Sequence, residues 1–504
     1  MSDEEPATPD TPQDVLTVRR QKLDALRSKG VEPYAPSFPK DADASDVLAE
    51  FDSLEAGAET AERRSVAGRL VMYRSHGKLA FAVIRDRSGD LQLFLTADAL
   101  GADRLAELDE ELDLGDVVGA SGVVVKTKKG EVSVKADRVV LLAKSLRPMP
   151  EKWHGLRDAE ARHRQRYLDL AANPDSREVV RARAKVLASL RRTLDSRGFA
   201  EVETPILQNV PGGGLARPFV THHDALDIDM YLRIAPELFL KRLLVGGLER
   251  VYEIGRTFRN EGVSTKYNPE FTMLEAYQAY GDYGDMMELV EALVKDAALA
   301  VRSSLRFEYQ GRELDLETPW RRATIAELVT EAVGEDASIH TGADGLRALA
   351  DRHQVSYDPK WGPGKLLVEL FEKLVERELF QPTFVKDFPR EVSPLARTHR
   401  DEPDLTEHFD LIMGGVEIAP AYSELNDPDE QRRRFEMQME QKAAGEEETH
   451  PFDEEFLVAL EHGMPPAGGL GLGVDRLLMF VTDSPSIRDV ILFPHLRPES
   501  PTPS

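Results

Sequence analysis

Apolar and charged residues alternate at helical spacing over 16–29, LTVRRQKLDALRSK, and the run stops at Gly30 with Pro33 behind it. A short N-terminal helix is expected there. From Val66 to Leu142 the pattern shortens to five runs rich in β-branched residues, SVAGRLVMYR, LAFAVIRD, LQLFLTA, DVVGASGVVVKT and EVSVKADRVVLL. Turn residues punctuate them, including Ser88-Gly89-Asp90 and Lys128-Lys129-Gly130. Five short strands in so small a span predict a closed β-barrel. A polar, Arg-dense linker follows, opening with Pro148 and Pro150. Beyond it, SREVVRARAKVLASLRRTLDSRG sets Val180, Ala184, Leu187, Leu190 and Leu194 on one stripe of a long helix, capped by Asp175 or Ser176 and ended by Gly198. Many strands and few long helices come after, so the larger part reads as α+β on an antiparallel sheet.

Length and composition refine this picture. At 504 residues the chain is too long for one core. The divisions expected are an acidic disordered tail at 1–15, a helix with an OB-type barrel at 16–145, a linker at 146–175 and a second domain at 176–499. No apolar run approaches the ~18 residues of a membrane span, and the acidic, Pro-rich N-terminus has no signal-peptide pattern. The chain has no cysteine, which excludes disulfides, thiolate metal sites and a Cys nucleophile and fits a reducing cytoplasm. A net charge of −26 argues against a surface that is basic throughout. Residues 61–150 carry 15 Lys and Arg against 13 Asp and Glu, so the barrel is the better candidate for nucleic acid, with a plain packing module as the alternative.

Three stretches carry chemistry. VYEIGRTFRNEG and NPEFTMLEAYQAY read as a long hairpin, in which period two places Phe271, Met273, Glu275 and Tyr277 on one face and Thr272, Leu274 and Ala276 on the other. Arg259 and Glu261 likewise share a face. A solvated sheet with ion pairs is the plain alternative, but two aromatics flanking a carboxylate disfavour it. In FDLIMGGVEI the Gly414-Gly415 pair predicts a tight hairpin, with Ile412 facing Glu417 and Asp410 diagonal to Glu417. Two carboxylates that close suit an oxygen-bound cation such as Mg²⁺, or are simply acidic residues on a wet strand. PPAGGLGLGVDRLLMF is a Gly-rich entry to a helix with Arg476 in its first turn. It lacks a Walker A lysine and a βαβ GxGxxG frame, which disfavours P-loop and Rossmann enzymes.

GFAEVETPIL, FRNEG with NPEFTMLE, and GLGLGVDRLLM resemble the three signature motifs of class II aminoacyl-tRNA synthetases. RPFVTHHDALDIDMYLRIAPELFLKRLLVGGLERVYEIGRTFRNEG, EVSPLAR and SIRDVILFP resemble the lysyl-tRNA synthetases within that class, and the likeness runs from about residue 17 to 499. It implies ATP-dependent joining of L-lysine to tRNA(Lys) through a lysyl-adenylate, with Mg²⁺, in a cytoplasmic homodimer whose interface includes 176–206. By motif position, Arg259 meets the α-phosphate and the lysine carboxylate, Arg476 the γ-phosphate, Phe271 the adenine ring and Glu261 the adenine amino group, with Tyr267 in the same ATP site. Asp410 and Glu417 match the metal carboxylates, although the first is usually Glu. Glu237 and Glu275 match the groups around the α-amino group, Glu424 and Tyr277 those around the ε-ammonium, and Gly213 a close backbone approach. In the barrel, Phe81 and Gln92 match the readers of the central anticodon uridine, with Arg74 and Glu131 nearby.

The chain departs from the family pattern at Lys266-Tyr267, where His precedes the Asn/Ser-Pro-Glu-Phe run, and at Ala419-Pro420-Ala421, where Gly-Asn-Gly or Cys-Asn-Ala is frequent. Pro420 offers neither the Asn amide nor a backbone N–H. Two alternatives follow: a paralogue with altered substrate or inhibitor resistance, and a non-catalytic nucleic-acid-binding protein on the same fold. Intact Arg259, Glu261, Phe271, Glu417 and Arg476 weigh against the second, and the barrel weighs against a protein-modifying relative.

Overall fold

The computed structural model describes residues 12–150, 156, 158–443 and 449–498. The expected acidic tail lies outside them up to Thr11, as do residues 151–155 and 157 of the expected linker. The chain divides into two units, Met1–Leu156 and Arg157–Ser504.

In the first unit the leading helix is Pro12–Ser28, starting four residues before the point the periodicity suggests. Proline tolerates a first helical turn, where its missing N–H has no partner to lose. The barrel strands are β1 (Glu59–Ser75), β2 (Leu79–Arg85), β3 (Asp90–Thr96), β4 (Val117–Lys126) and β5 (Val132–Ala143), closed in the order β1-β2-β3-β5-β4. Alternation decides the faces: Ala80, Ala82 and Ile84 of β2 and Leu91, Leu93 and Leu95 of β3 are buried inside. Their neighbours in sequence point outward.

The second unit opens with helices Ala159–Arg164 and Arg166–Ala172, inside the stretch expected to be linker. Its strands are β6 (Ala200–Glu201), β7 (Leu207–Gln208), β8 (Val220–His223), β9 (Ile228–Leu232), β10 (Arg250–Phe258), β11 (Glu270–Ala279), β12 (Arg306–Tyr309), β13 (Arg312–Asp315), β14 (Arg321–Thr324), β15 (Thr383–Lys386), β16 (His408–Met413), β17 (Val416–Ser423) and β18 (Ala467–Gly473). Eight of them form one sheet in the order β14-β15-β16-β17-β18-β11-β10-β6. It is antiparallel except at its two edges, where β14 runs parallel to β15 and β6 to β10.

One face of this sheet packs on helices Pro174–Asp195, Tyr283–Arg302 and Val474–Thr482. Leu274 and Ala276 of β11, Ala419 and Ala421 of β17, and Leu470 and Leu472 of β18 all turn to that core. Each buried leucine contributes about 1.5–3 kcal/mol. On the opposite face, Val251 and Tyr277 pack with helix Glu237–Val245, and the polar residues of β11 lie beside them.

Two local expectations need correction. The long helix begins at Pro174 behind Asn173, not at a cap by Asp175 or Ser176; Ser176 is buried instead and donates to Asp169 Oδ1 at 2.9 Å. Its buried stripe is Ala182, Val186, Ser189, Leu190, Thr193 and Leu194, whereas Ala184 is exposed and Val180 and Leu187 are half-buried. Small polar residues pass for surface in a sequence, but Thr193 satisfies its hydroxyl on Asp296 Oδ2 at 2.7 Å. In the 408–423 hairpin Ile412 does face Glu417, yet the register slips between Leu411 and Ile412. Asp410 therefore pairs with Pro420, with Ile418 as the extra residue of a bulge, buried at 1% exposure.

Candidate active site

The face opposite that core is built by period two. On β11, Phe271, Met273, Glu275 and Tyr277 alternate with the core residues, as the sequence indicates, opposite Thr257, Gly255, Glu253 and Val251 of β10. On β18 the same alternation sets Gly469, Gly471 and Gly473 against Leu470 and Leu472. Gly469 is there for space: a Cβ on it would stand 2.0 Å from Glu424 Oε1 and 2.4 Å from Tyr277.

Two cavities open on this face. One, of about 280 Å³, is lined by Gly213, Glu237, Arg259, Glu275, Tyr277, Asp410 and Glu417 among others. The other, of about 350 Å³, is lined by Arg259, Glu261, Tyr267, Phe271, Glu417 and Arg476 among others. They share Arg259, Met273, Glu417, Pro420 and Gly471, so they meet at an arginine and a carboxylate. A larger hollow of about 580 Å³, beside Arg390 and Arg433, lies apart from these residues; its lining joins cations to carboxylates without a convergent set.

The second cavity is cationic and aromatic. The Arg259 guanidinium sits 5.3 Å from the Phe271 ring centre and that of Arg476 5.9 Å from the Tyr267 ring. Arg476 donates to the Glu417 carbonyl at 2.6 Å. Its helix is pinned by Asp475, which accepts the Thr272 N–H at 2.6 Å and pairs with Arg183.

The first cavity is acidic. Glu275 is buried beneath Tyr277, whose hydroxyl donates to it at 3.1 Å; burial and then the charge of Glu237 push its carboxyl well above the ordinary value. Glu424 is fully buried and is not part of the cavity lining. Burial pushes it up to about 8, with Lys241 pulling the other way. Lys241 went unnoticed in the sequence: its ammonium, without solvent exposure, lies 2.6 Å from Glu237 and 2.5 Å from Glu424. Burial would strip its proton, but the two carboxylates outweigh that and hold it charged. The i, i+4 spacing of Glu237 and Lys241 on helix Glu237–Val245 was a visible signal; the contact with Glu424 was not.

Asp410 and Glu417 are neighbours despite the altered register. Burial first, and then Asp410, raise Glu417, while Arg476 and Arg259 oppose the rise. His408, also missed, accepts or donates at 3.0 Å to Asp410 through Nε2 and meets Ser393 Oγ at 2.9 Å through Nδ1. Among the described residues no group of three or more His, Cys, Asp or Glu is arranged to hold a metal.

In the first unit Phe81 is half-buried on the outer barrel surface, stacked on Phe94 with centroids 5.1 Å apart and planes at 13°. Arg74 pairs with Phe81 across β1 and β2 and is exposed. Gln92 donates to Ser133 Oγ at 2.9 Å, and Ser133 donates to the carbonyl of exposed Glu131 at 3.2 Å. Phe94 is the aromatic the sequence reading did not single out.

Comparison with known proteins agrees with this arrangement. The family described as tRNA synthetases class II (D, K and N) matches residues 158–497, and the OB-fold nucleic acid binding domain matches 65–142. A "Lysine--tRNA ligase" of Moorella thermoacetica is 52% identical over 96% of this chain and 98% of its own length. Proteins of that name from Syntrophomonas wolfei and a Synechococcus species are 50% and 52% identical, over 96% and 95% of this chain and 97% and 98% of their own lengths. Across the barrel and the eight-stranded sheet alike, this chain belongs to the class II lysine--tRNA ligases.

Proposed function

We propose that the chain joins L-lysine to tRNA(Lys) at the expense of ATP, the two cavities holding lysine and ATP. The observation that carries this reading is their junction. An acidic chamber and a cationic, aromatic one meet at Arg259 and Glu417, where a carboxylate and an α-phosphate have to be brought together.

A lysine carboxylate is ionised at neutral pH and needs no base. Its oxygen bonds to the α-phosphorus, the bond to the bridging oxygen breaks and pyrophosphate leaves. The terminal adenosine hydroxyl of tRNA then attacks the lysyl carbonyl and AMP leaves. Arg259 steadies the lysine carboxylate and the α-phosphate, Arg476 the γ-phosphate, Phe271 and Tyr267 the base end, and Glu261 the adenine amino group. The chain's contribution is position and counter-charge.

At the acidic end Glu237 and Glu275 face the α-ammonium, Gly213 approaches by backbone, and Tyr277 with Glu424 takes the ε-ammonium. An uncharged side chain there would leave a buried carboxylate unpaired, a strong basis for rejection. Asp410 and Glu417 offer neighbouring oxygen donors, which would suit Mg²⁺ with its other ligands taken from water and phosphate. A bound magnesium ion supplies neutralisation of phosphate charge. The outer barrel face with Phe81, Gln92, Arg74 and Glu131 reads the anticodon by stacking and hydrogen bonds. A homodimer is supported by exposed Ile206, Leu207 and Val220, at 43%, 45% and 61%. The likeness to lysine--tRNA ligases supports a cytoplasmic enzyme; no described helix is long and apolar enough to cross a membrane.

ATP–pyrophosphate exchange with each amino acid in turn tests the reading: lysine alone should support exchange, and tRNA(Lys) should then be charged. Exchange with another amino acid in preference to lysine, the paralogue outcome, would overturn it. The nearly full-length likeness to lysine--tRNA ligases favours the lysine outcome.

A further inference from the structure

The run Gly212-Gly213-Gly214, of which Gly213 and Gly214 line the acidic cavity, has no side chain of its own to hold it. Glycine runs lose the most backbone freedom on ordering. Gly213 adopts φ +83, and a Cβ there would meet Glu237 Cβ at 2.9 Å; one on Gly212 would meet Leu238 Cδ1 at 2.5 Å. Something outside the loop has to fix its peptide planes.

That group is His450, which the sequence motifs do not include. Its ring is fully buried and borders the same cavity. Nε2 lies 3.0 Å from the Gly213 nitrogen, and Nδ1 2.7 Å from the Pro451 carbonyl oxygen. A carbonyl only accepts and a backbone N–H only donates. These two partners therefore assign the neutral tautomer with hydrogen on Nδ1 and a bare Nε2. The ring is clamped in turn: it lies flat on Phe435, with centroids 4.8 Å apart and planes at 8°, and its backbone N–H donates to Gln438 Oε1 at 3.1 Å. Both partners belong to helix Pro428–Ala443.

We propose that His450 is a positioning residue for amino-acid binding, its bare Nε2 accepting the Gly213 N–H and so fixing the glycine loop against the lysine chamber. The inference rests on the lysine reading of that chamber. Because the peptide is planar, anchoring the Gly213 N–H also sets the direction of the Gly212 carbonyl across it. Burial pushes the imidazole pKa down, with Lys241 acting the same way and Glu237 and Asp453 opposing, which suits a neutral acceptor. An imidazolium would oppose N–H to N–H and release the loop.

The test uses the full chain in three forms, the parent, His450→Phe and His450→Gln. Phenylalanine keeps the ring on Phe435 and removes the acceptor; glutamine places a neutral acceptor near the Nε2 position. The expected result for His450→Phe is a three- to tenfold rise in lysine KM, with ATP KM and kcat little changed, as for one lost neutral hydrogen bond. His450→Gln should bring lysine KM back to within about twofold of the parent. Amide hydrogen exchange of peptides covering 212–214, measured without substrates, should speed up in His450→Phe alone. If lysine KM and exchange protection in His450→Phe match the parent, the proposal is wrong. It is equally wrong if glutamine and phenylalanine behave alike, since the ring would then be a packing residue. Failure of the parent to carry out lysine-dependent ATP–pyrophosphate exchange would instead overturn the functional reading, leaving the exchange protection as the measure of His450.

Discussion

The ammonium of Lys241 lies 2.5 Å from the carboxylate of Glu424, and neither side chain reaches solvent. Glu237 reaches the same ammonium at 2.6 Å, and its charge, after burial, helps push Glu275 up. In the proposed reading a lysine substrate brings two ammonium groups, and its carboxylate meets Arg259.

Lys241→Met should therefore harm folding and binding together. Removing one partner of a buried pair leaves its carboxylates uncompensated, at a cost of about 3–5 kcal/mol. A lower melting temperature and a raised lysine KM are expected. Lys241→Met with Glu424→Leu should recover much of the stability without recovering lysine activation. Full stability in the single variant would show that the pair carries little of the fold.

Lysine recognition should depend on pH above the usual carboxylate range. Glu275 is pushed well up by burial and Glu237, and Glu424 up to about 8 by burial. Both must be anions to meet ammonium groups, so kcat/KM for lysine should fall as pH drops below about 8. Because raised carboxyl groups destabilise the empty fold as pH climbs from the ordinary carboxylate range towards those values, the thermal stabilisation given by lysine should grow from pH 6 to pH 8. A lysine-induced melting shift that is flat over this interval would contradict the assignment.

Arg476→Ala should abolish adenylate formation while leaving melting nearly unchanged. The side chain lines the cavity proposed for ATP, and Asp475, not Arg476, ties the helix to β11. Normal exchange activity in a folded variant would remove Arg476 from the ATP site.

Phe81→Ala should leave exchange close to normal and weaken tRNA charging by ~1–3 kcal/mol. Phe81 stacks on Phe94 outside the barrel, so the core residues Ala80 and Ala82 are untouched. Equal loss of both activities would mean that the change disturbs more than anticodon contact.

Pro420→Asn should lower lysine KM by about three- to tenfold, the worth of ~0.5–1.5 kcal/mol for a neutral hydrogen bond. Pro420 borders both cavities, whereas Ala419 and Ala421 face the core, so the single substitution tests this strand position without opening a void. An unchanged or higher KM would show that the chain has repacked around the proline, and would remove the sequence support for a resistance copy.

Much of this arrangement was legible because sheets write their faces with period two. Phe271, Met273, Glu275 and Tyr277 could be assigned to one side of β11 from spacing alone, and the barrel from five β-branched runs. The slip between Leu411 and Ile412 could not, since a bulge is decided by what the extra residue, Ile418, finds to pack against. His450 and the meeting of Lys241 with Glu424 were silent for a related reason. Their partners lie 237 and 183 positions away in the chain, at Gly213 and Glu424, and no local pattern encodes such a meeting. The helix from Pro174 misled by its interior: Ser189 and Thr193 look like surface but are buried, and Thr193 finds its partner only when Asp296 is folded against it.

The alternation of β18 also limits how the amino-acid chamber can be re-engineered. Its wall at Gly469 and Gly471 already presents hydrogen atoms alone, and Leu470 and Leu472 behind it hold the sheet to its helices. There is nothing left to trim on that side for a bulkier substrate. Any added atom at Gly469 would strike Glu424 and Tyr277 first. Room for a longer or branched amino acid has to come from the neighbouring strand β11, through Met273 or Tyr277, with the backbone of β18 left as the fixed edge.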